Sequence, residues 1–292
     1  MINFRIIPKL EVKDFNLVKG YKLEGLRALG DPLDFLRVYV NSGADEIIVE
    51  DVMASLLEKV VQVKLISKIV GNSSIPLSVA GGINSVSKAK KLFSAGAERV
   101  VLCSGLVKKP HLINDIVEKY GSQSVAAKLL IATNENQFLS LTYFNGREPF
   151  NINWNMWLQE LEYRGAGEIH ISLIELDGTG AGPNLRILEQ ARKLVKIPII
   201  YSGGVSNLKH IKDLMNVGAD GVAIASSLHY NLVYKKEIKY KYEKKFFIRE
   251  HANADLGNFE WLFHGYGEDN QANVKLLDLN KIKSAIAGLR SD

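Results

Sequence analysis

The chain has 292 residues, 47% of them hydrophobic and 24% charged, with a formal net charge of +5. No apolar run approaches the roughly 18 residues a membrane span needs, and the single cysteine, Cys103, excludes an intramolecular disulfide and argues against a cysteine-based metal site. Between residues 235 and 249 seven Lys or Arg stand against Glu237 and Glu243, an excess equal to the whole net charge, so the balance of the chain gives no ground for a nucleic-acid partner.

The first eight residues lack a basic region followed by a long apolar segment, and they read as an opening strand rather than a leader, which predicts a cytoplasmic chain with no membrane association. Short apolar runs then recur at 4–10, 46–50, 75–80, 99–103, 125–131, 169–174, 197–201 and 222–225. Near-continuous apolar runs of that length suit parallel strands covered on both faces. Between them, segments such as 85–93 and 208–215 carry apolar residues at helical spacing, begin beside Ser or Asn caps and close at Gly96 and Gly218. Eight such units predict a (β/α)8 TIM barrel. After 226–230 comes a basic, aromatic stretch and then a Gly-, Asn- and Asp-rich one, before a closing helix at 279–289. Residues 231–275 therefore read as an insertion between the eighth strand and its helix within one barrel domain, either a solvated excursion or a lid or docking element on the catalytic face.

The barrel is written twice. Gly81-Gly82 returns as Gly203-Gly204, 122 residues later, and at the same offset Ile75-Pro76 returns as Ile197-Pro198, Gly43-Ala44 as Gly165-Ala166, Gly96-Ala97 as Gly218-Ala219, and Ser104 as Ser226. Such periodicity predicts two homologous half-barrels. Each glycine pair follows a strand and precedes a helix, where a backbone without Cβ approaches a ligand closely and a helix N-terminus offers free N–H groups to an anion. Ser104 and Ser226 add a hydroxyl to each turn, so two phosphate sites are expected on opposite sides of one mouth, suiting a substrate phosphorylated at both ends. Asp177-Gly178-Thr179-Gly180 forms another loop able to cradle an anion, with Asp177 placed to orient a hydroxyl or cap a turn. At the second strand's end Asp51 is placed to bind ligand hydroxyls. Glu11, ending the first strand, is the expected acid or base, because burial at the centre of the mouth raises a carboxyl pKa into a useful range. Cys103 is expected to pack at a strand end. The six histidines are scattered, so no metal or cofactor is expected.

Arg5-Ile6-Ile7-Pro8, Leu17-Val18-Lys19-Gly20, Gly25-Leu26-Arg27, Gly43-Ala44-Asp45-Glu46, Gly81-Gly82-Ile83, Gly121-Ser122-Gln123, Gly165-Ala166-Gly167-Glu168, Asp177-Gly178-Thr179 and Ser202-Gly203-Gly204 stand in an order that resembles the cyclase subunits of imidazole glycerol phosphate synthase, the HisF type, from residue 4 to about 230. The resemblance implies a barrel that receives ammonia from a glutaminase (HisH-like) partner. It implies as substrate a bis-phosphorylated ribulosyl aminoimidazole carboxamide, which is cyclised and cleaved, with Lys19 among the substrate-binding residues. It also implies an ammonia gate of alternating charges, here Arg5, Glu46, Arg99 and Glu168, with Arg99 in place of the usual Lys.

The family's two catalytic aspartates correspond to Glu11 and Leu130. The extra methylene of Glu11 moves its carboxyl by ~1.5 Å, where a ~1 Å misplacement can cost ~100-fold, and Leu130 cannot exchange a proton. Lys9 replaces a usual Cys, Cys103 a usual Asn, and Lys9 and Lys128 are expected to face each other. Three functions follow: a histidine-pathway cyclase with altered catalytic residues, a HisF-like paralogue passing ammonia to a sugar amidotransferase in surface-polysaccharide (lipopolysaccharide) synthesis, or a non-catalytic ammonia conduit.

Overall fold

The structure, a computed structural model, describes residues 4–133, 139–235, 237–238 and 276–288. The first half contains β1 (Arg5–Lys13), β2 (Asn16–Tyr21), β3 (Glu24–Gly30), α1 (Pro32–Asn41), β4 (Ile47–Asp51), α2 (Val63–Val70), β5 (Leu77–Ala80), α3 (Val86–Ser94), β6 (Arg99–Leu102), α4 (Ser104–Lys108) and α5 (Leu112–Tyr120). The second half contains β7 (Val125–Thr133), β8 (Leu139–Tyr143), β9 (Glu148–Phe150), α6 (Trp154–Tyr163), β10 (Glu168–Leu173), α7 (Leu185–Leu194), β11 (Ile199–Ser202), α8 (Leu208–Val217), β12 (Gly221–Ile224) and α9 (Ser226–Tyr234), and α10 (Leu279–Gly288) ends the described chain. Most of the expected insertion at 231–275 lies outside the described residues. No described helix is long and apolar enough to cross a membrane.

Eight parallel strands close on themselves in the order β1, β4, β5, β6, β7, β10, β11, β12, with β12 pairing back to β1. This is the (β/α)8 barrel expected from the eight apolar runs. The helices begin where the sequence places caps: the Ser85 side chain accepts from Lys88 N at the start of α3, and the Asn207 side chain from His210 N at the start of α8. Gly218 closes α8 in the left-handed conformation, φ 97°.

Two antiparallel hairpins were not expected, β2–β3 after β1 and β8–β9 after β7, at matching places in the two halves. The second carried a signal, because Asn145-Gly146 is a strong short-range hairpin marker. The first carried none: its turn uses Lys22 and Leu23, both at positive φ (51° and 65°), where side chains other than Gly, Asn and Asp are uncommon.

The pleat sends alternate residues to the helices and to the axis. On β1, Ile6, Leu10 and Val12 join the large core under the helices, while Ile7 packs on the axis with Ile48, Ile200 and Ala223. A second axial cluster holds Ala80, Val101 and Ala126. The axial residues of β1 therefore read Arg5, Ile7, Lys9 and Glu11, a charge at one end, an apolar layer, and charges at the other.

His229 of α9 ties the eighth unit to the first. It is fully buried, receives the Tyr39 hydroxyl at Nδ1 (2.6 Å) and places Nε2 2.9 Å from the Lys9 carbonyl, with Phe35 edge-on to its ring. The Lys9 carbonyl can only accept, so Nε2 carries a proton, and burial lowers the ring's pKa to about 4, which leaves it neutral with Nδ1 accepting from Tyr39. Between about pH 4 and 6.5 the unfolded chain then binds a proton that the folded chain does not, so stability falls as the pH falls through that window. Urea unfolding is expected to show a loss of about 2 kcal/mol between pH 7 and pH 5 from this residue, largely absent in His229→Gln; identical pH slopes in the two proteins would refute the assignment.

Candidate functional site

The C-terminal mouth is crossed by a line of alternating charges. Lys19 Nζ lies 2.7 Å from both Asp177 Oδ1 and Glu11 Oε2, Lys9 Nζ lies 2.6 Å from Glu11 Oε1 and 3.6 Å from Glu50 Oε2, and Lys128 Nζ lies 2.6 Å from Glu50 Oε1. Lys9, Glu11, Lys19 and Asp177 are all buried. The line joins both halves, since Lys19 arrives on the hairpin strand β2, Asp177 follows β10, and Lys128 sits on β7. Six groups of alternating sign bring no net charge, which is what makes their burial tolerable.

This arrangement corrects the sequence expectation for Glu11. Burial by itself raises the pKa of Glu11, but the ammonium groups of Lys19 and Lys9 outweigh it and hold the carboxyl below the ordinary range. Glu11 is therefore an ionised carboxylate in the unliganded mouth and has no proton to give. Lys128 and Lys9 likewise outweigh the burial of Glu50 and lower its pKa, and carboxylate partners raise Lys9 and Lys19 despite burial. Lys9 and Lys128 line the same axial cavity, and Glu50 bridges them.

Leu130 remains where the resemblance put it. It lines the mouth with Glu50, Asp51, Cys103 and Lys128, while its neighbours Leu129 and Ile131 face the helices. A register shift of one residue would turn β7 inside out, and Lys128 and Leu130 leave no carboxylate on that strand's axial face. Asp51 lines the same cleft, and its Oδ1 accepts from Met53 N and Ala54 N, both at 3.0 Å, capping the turn after β4. Burial pushes the Cys103 thiol up to about 11, an inert strand-end group as expected.

The glycine pairs repeat in three dimensions. Gly82 and Gly204 have φ of 67° and 76°, and a Cβ on either would stand 1.8 Å from the Lys59 carbonyl oxygen or 2.1 Å from that of Gly182. Contact with the preceding β/α loop therefore demands glycine at both positions. The helices that follow, α3 and α8, have capped N-termini. α4 and α9 have no side-chain cap; they start at Ser104 and Ser226 directly after β6 and β12, behind Cys103 and Ala225 in nearly the same conformation (φ −137°, ψ −93° and φ −117°, ψ −82°). One cleft is lined by Gly82, Ser104 and Gly105 and continues past Gly81 to Lys128; the other is lined by Asp177, Gly178, Gly203, Gly204, Ser226 and Ser227. Each offers backbone N–H groups and hydroxyls to an anion.

At the opposite end of the axis Arg5, Glu46, Arg99 and Glu168 meet in a closed ring. Arg5 contacts Glu46 (2.8 Å) and Glu168, and Arg99 contacts Glu46 (3.0 Å) and Glu168 (3.5 Å). Two members were missed. Ser78 donates to Glu46, and His170 Nε2 lies 2.7 Å from Glu168 Oε1. His170 could have been found, since it lies two residues beyond Glu168 on one strand face. Burial acts to raise the Glu168 pKa, and His170 and the two guanidinium groups bring it down to about 2. Between ring and mouth a narrow axial cavity is lined by His170, Ser172, Ser202, Ala80, Ala223 and Lys9, among others. Among the described residues no group of three or more His, Cys, Asp or Glu could hold a metal ion.

A family model described as histidine biosynthesis protein matches residues 5–234. Curated relatives include the imidazole glycerol phosphate synthase subunit HisF of Thermotoga sp. (strain RQ2), 35% identical over 245 residues that cover 84% of this chain and 96% of that protein. The subunit of the same name from Pelodictyon phaeoclathratiforme is 38% identical over 240 residues, 82% and 95% of the two chains. That from Exiguobacterium sp. is 34% identical over 240 residues, 82% and 93%.

Replacing Glu11 by Gln leaves Lys9 and Lys19 buried beside a neutral amide. A loss of about 3–5 kcal/mol is expected in urea unfolding at pH 7; a loss below about 1 kcal/mol would show that the mouth is wetter than its burial implies.

Proposed function

The chain belongs to the histidine biosynthesis protein family, among the HisF subunits of imidazole glycerol phosphate synthase, and from that premise we propose that it binds a bis-phosphorylated ribulosyl aminoimidazole carboxamide across the mouth and adds ammonia to it. The observation that carries this reading is the duplicated cleft, one copy per half, each with a glycine pair and an uncapped serine-led helix start. One ligand with a phosphate at each end would span both and lay its middle over Glu11, Lys9 and Glu50. Gly81, Gly82 and Ser104 would hold one phosphate, and Gly178, Gly203, Gly204 and Ser226 the other. Lys19 and Asp177 would fix the position of Glu11, and Asp51 would shape the wall between strand and glycine turn.

Ammonia would come from a glutaminase of the HisH kind docked over the charge ring of Arg5, Glu46, Arg99 and Glu168. It would cross the layer of Ile7, Ile48, Ile200 and Ala223, where a small neutral molecule passes at lower cost than ammonium. Cyclisation and cleavage of the adduct would yield imidazole glycerol phosphate and an aminoimidazole carboxamide ribotide. At the mouth Glu11 is a proton acceptor only, and the donors are lysine ammoniums whose raised pKa makes them weak acids.

A second reading is favoured by one observation, the absence of any carboxylate on the axial face of β7. On that reading the barrel delivers ammonia to a separate acceptor enzyme, such as a sugar amidotransferase, with residues 231–275 as docking segment, and performs no cyclisation itself.

Purified chain given the bis-phosphorylated intermediate and ammonium salt at pH 8 is expected to consume it, and Glu11→Gln to lower kcat at least ~100-fold. Binding of the intermediate without consumption would reject the cyclase reading and leave ammonia delivery; absence of binding would reject the bis-phosphate altogether.

A further inference from the structure

The lining of the axial cavity between ring and mouth differs between the two halves of the barrel. At the 122-residue offset Glu46 corresponds to Glu168, Ile48 to His170 and Ala80 to Ser202. Apart from Lys9, Glu50 and Lys128, the first half lines the cavity with Ile48, Ala80 and Val101, whereas the second brings His170, Ser172 and Ser202 beside Ile200 and Ala223. Strand register groups the polar residues, since Ser172 pairs with Ser202 and His170 with Ile200 across β10 and β11. All three polar side chains are buried, and neither serine hydroxyl makes a hydrogen bond to a described residue. His170 commits one ring nitrogen to the charge ring. Glu168 is ionised, with a pKa of about 2, so the 2.7 Å contact is Nε2–H donating to Oε1. In the neutral ring Nδ1 then carries a lone pair, to which no described residue donates. Anchoring Glu168 does not account for a histidine here. Arg5 and Arg99 already contact Glu168, and in the first half the neutral donor to Glu46 is Ser78, while Ile48 lines the cavity.

We infer that His170, Ser172 and Ser202 form a holding site for one molecule of ammonia between the charge ring and the mouth. The inference rests on the reading that ammonia crosses the barrel along its axis, and it adds a stopping point with named hydrogen-bond partners. Ammonia has three N–H donors and one lone pair. His170 Nδ1 accepts from it, and the serine hydroxyls, which both donate and accept, meet its lone pair and a second N–H. Buried polar groups left unpaired by the fold are satisfied by such a guest. About 10 Å³ of the cavity is open to the centre of a water-sized molecule, room for one. The opposite wall of Ile48, Ala80 and Val101 favours a neutral guest over an ion, because Glu50, the carboxylate within reach, is already held between Lys9 and Lys128. Those last three groups belong to the charge line of the mouth as well, so a molecule held in the cavity lies next to the place proposed for the middle of the substrate.

The probe is ammonium chloride, read against sodium chloride at equal ionic strength, at pH 7 and at pH 9. The nitrogen resonance of His170 Nδ1 reports the site, and the δ-methyl resonances of Ile7, Ile48 and Ile200 report entry of ammonia to the axis. The Nδ1 signal is expected to follow the concentration of neutral ammonia, so that the same total salt gives a much larger response at pH 9 than at pH 7. The double variant Ser172→Ala, Ser202→Ala removes two hydroxyls, leaves the contact of Nε2 with Glu168 in place, and is expected to weaken the binding about tenfold. Methyl shifts without a response at Nδ1 would overturn the holding site and leave axial passage standing. So would a response of equal size at the two pH values, which marks binding of the ion, or one that is unchanged in the double variant. No response at any of these groups would overturn axial passage and the inference with it.

Discussion

Closure of the eight-stranded ring turns strand pleating into a division of labour along one axis. Every second residue of a barrel strand must point inward, and in a closed ring there is no solvent face on which an unsuitable side chain can be placed. On β1 the inward series Arg5, Ile7, Lys9, Glu11 therefore fixes a guanidinium in the ring at one end, a methyl-lined layer in the middle and two charges at the mouth. Residue 46 and β4 repeat the pattern with Glu46, Ile48 and Glu50, and β10 with Glu168, His170 and Ser172. Ring, axial layer and mouth are three successive positions of one alternation, so none can shift register without the others.

The charges at the two ends are stabilised in different ways. In the ring each guanidinium spans two carboxylates, and the planar fork of Arg suits that double duty better than an ammonium would. At the mouth the cations are lysines, each a point charge between carboxylates, and the result is a line rather than a ring. A line has ends, here Asp177 after β10 and Lys128 on β7, and it is held by residues far apart in sequence. There the neighbouring lysines keep Glu11 and Glu50 ionised.

The fold was legible because it is written in short-range signals repeated at one offset: apolar runs, Ser and Asn caps, and glycines that a neighbouring carbonyl would strike if they carried a Cβ. The hairpin at Asn145-Gly146 was equally readable, while the one at Lys22-Leu23 was hidden because its turn residues give no hint of positive φ. The charge ring was visible only through family resemblance, since Arg5, Glu46, Arg99 and Glu168 are separated by up to 163 positions. The state of Glu11 was not visible. Lys9 lies two residues away on the same strand face and could have been paired with it, but Lys19 reaches it only through the unread hairpin and Asp177 only through closure of the barrel. Burial alone predicts a raised pKa, and the opposite direction follows from the company Glu11 keeps.

The neutral line of charges also sets a condition on anything negative that settles at the mouth. Each ammonium there already has two carboxylates, so an arriving anion gains Lys9 only by displacing Glu11 or Glu50, and Lys19 only by displacing Glu11 or Asp177. A carboxylate displaced in that way stays enclosed with one cation fewer beside it, and its proton affinity climbs. The guest itself would thus strengthen the base on which it comes to rest.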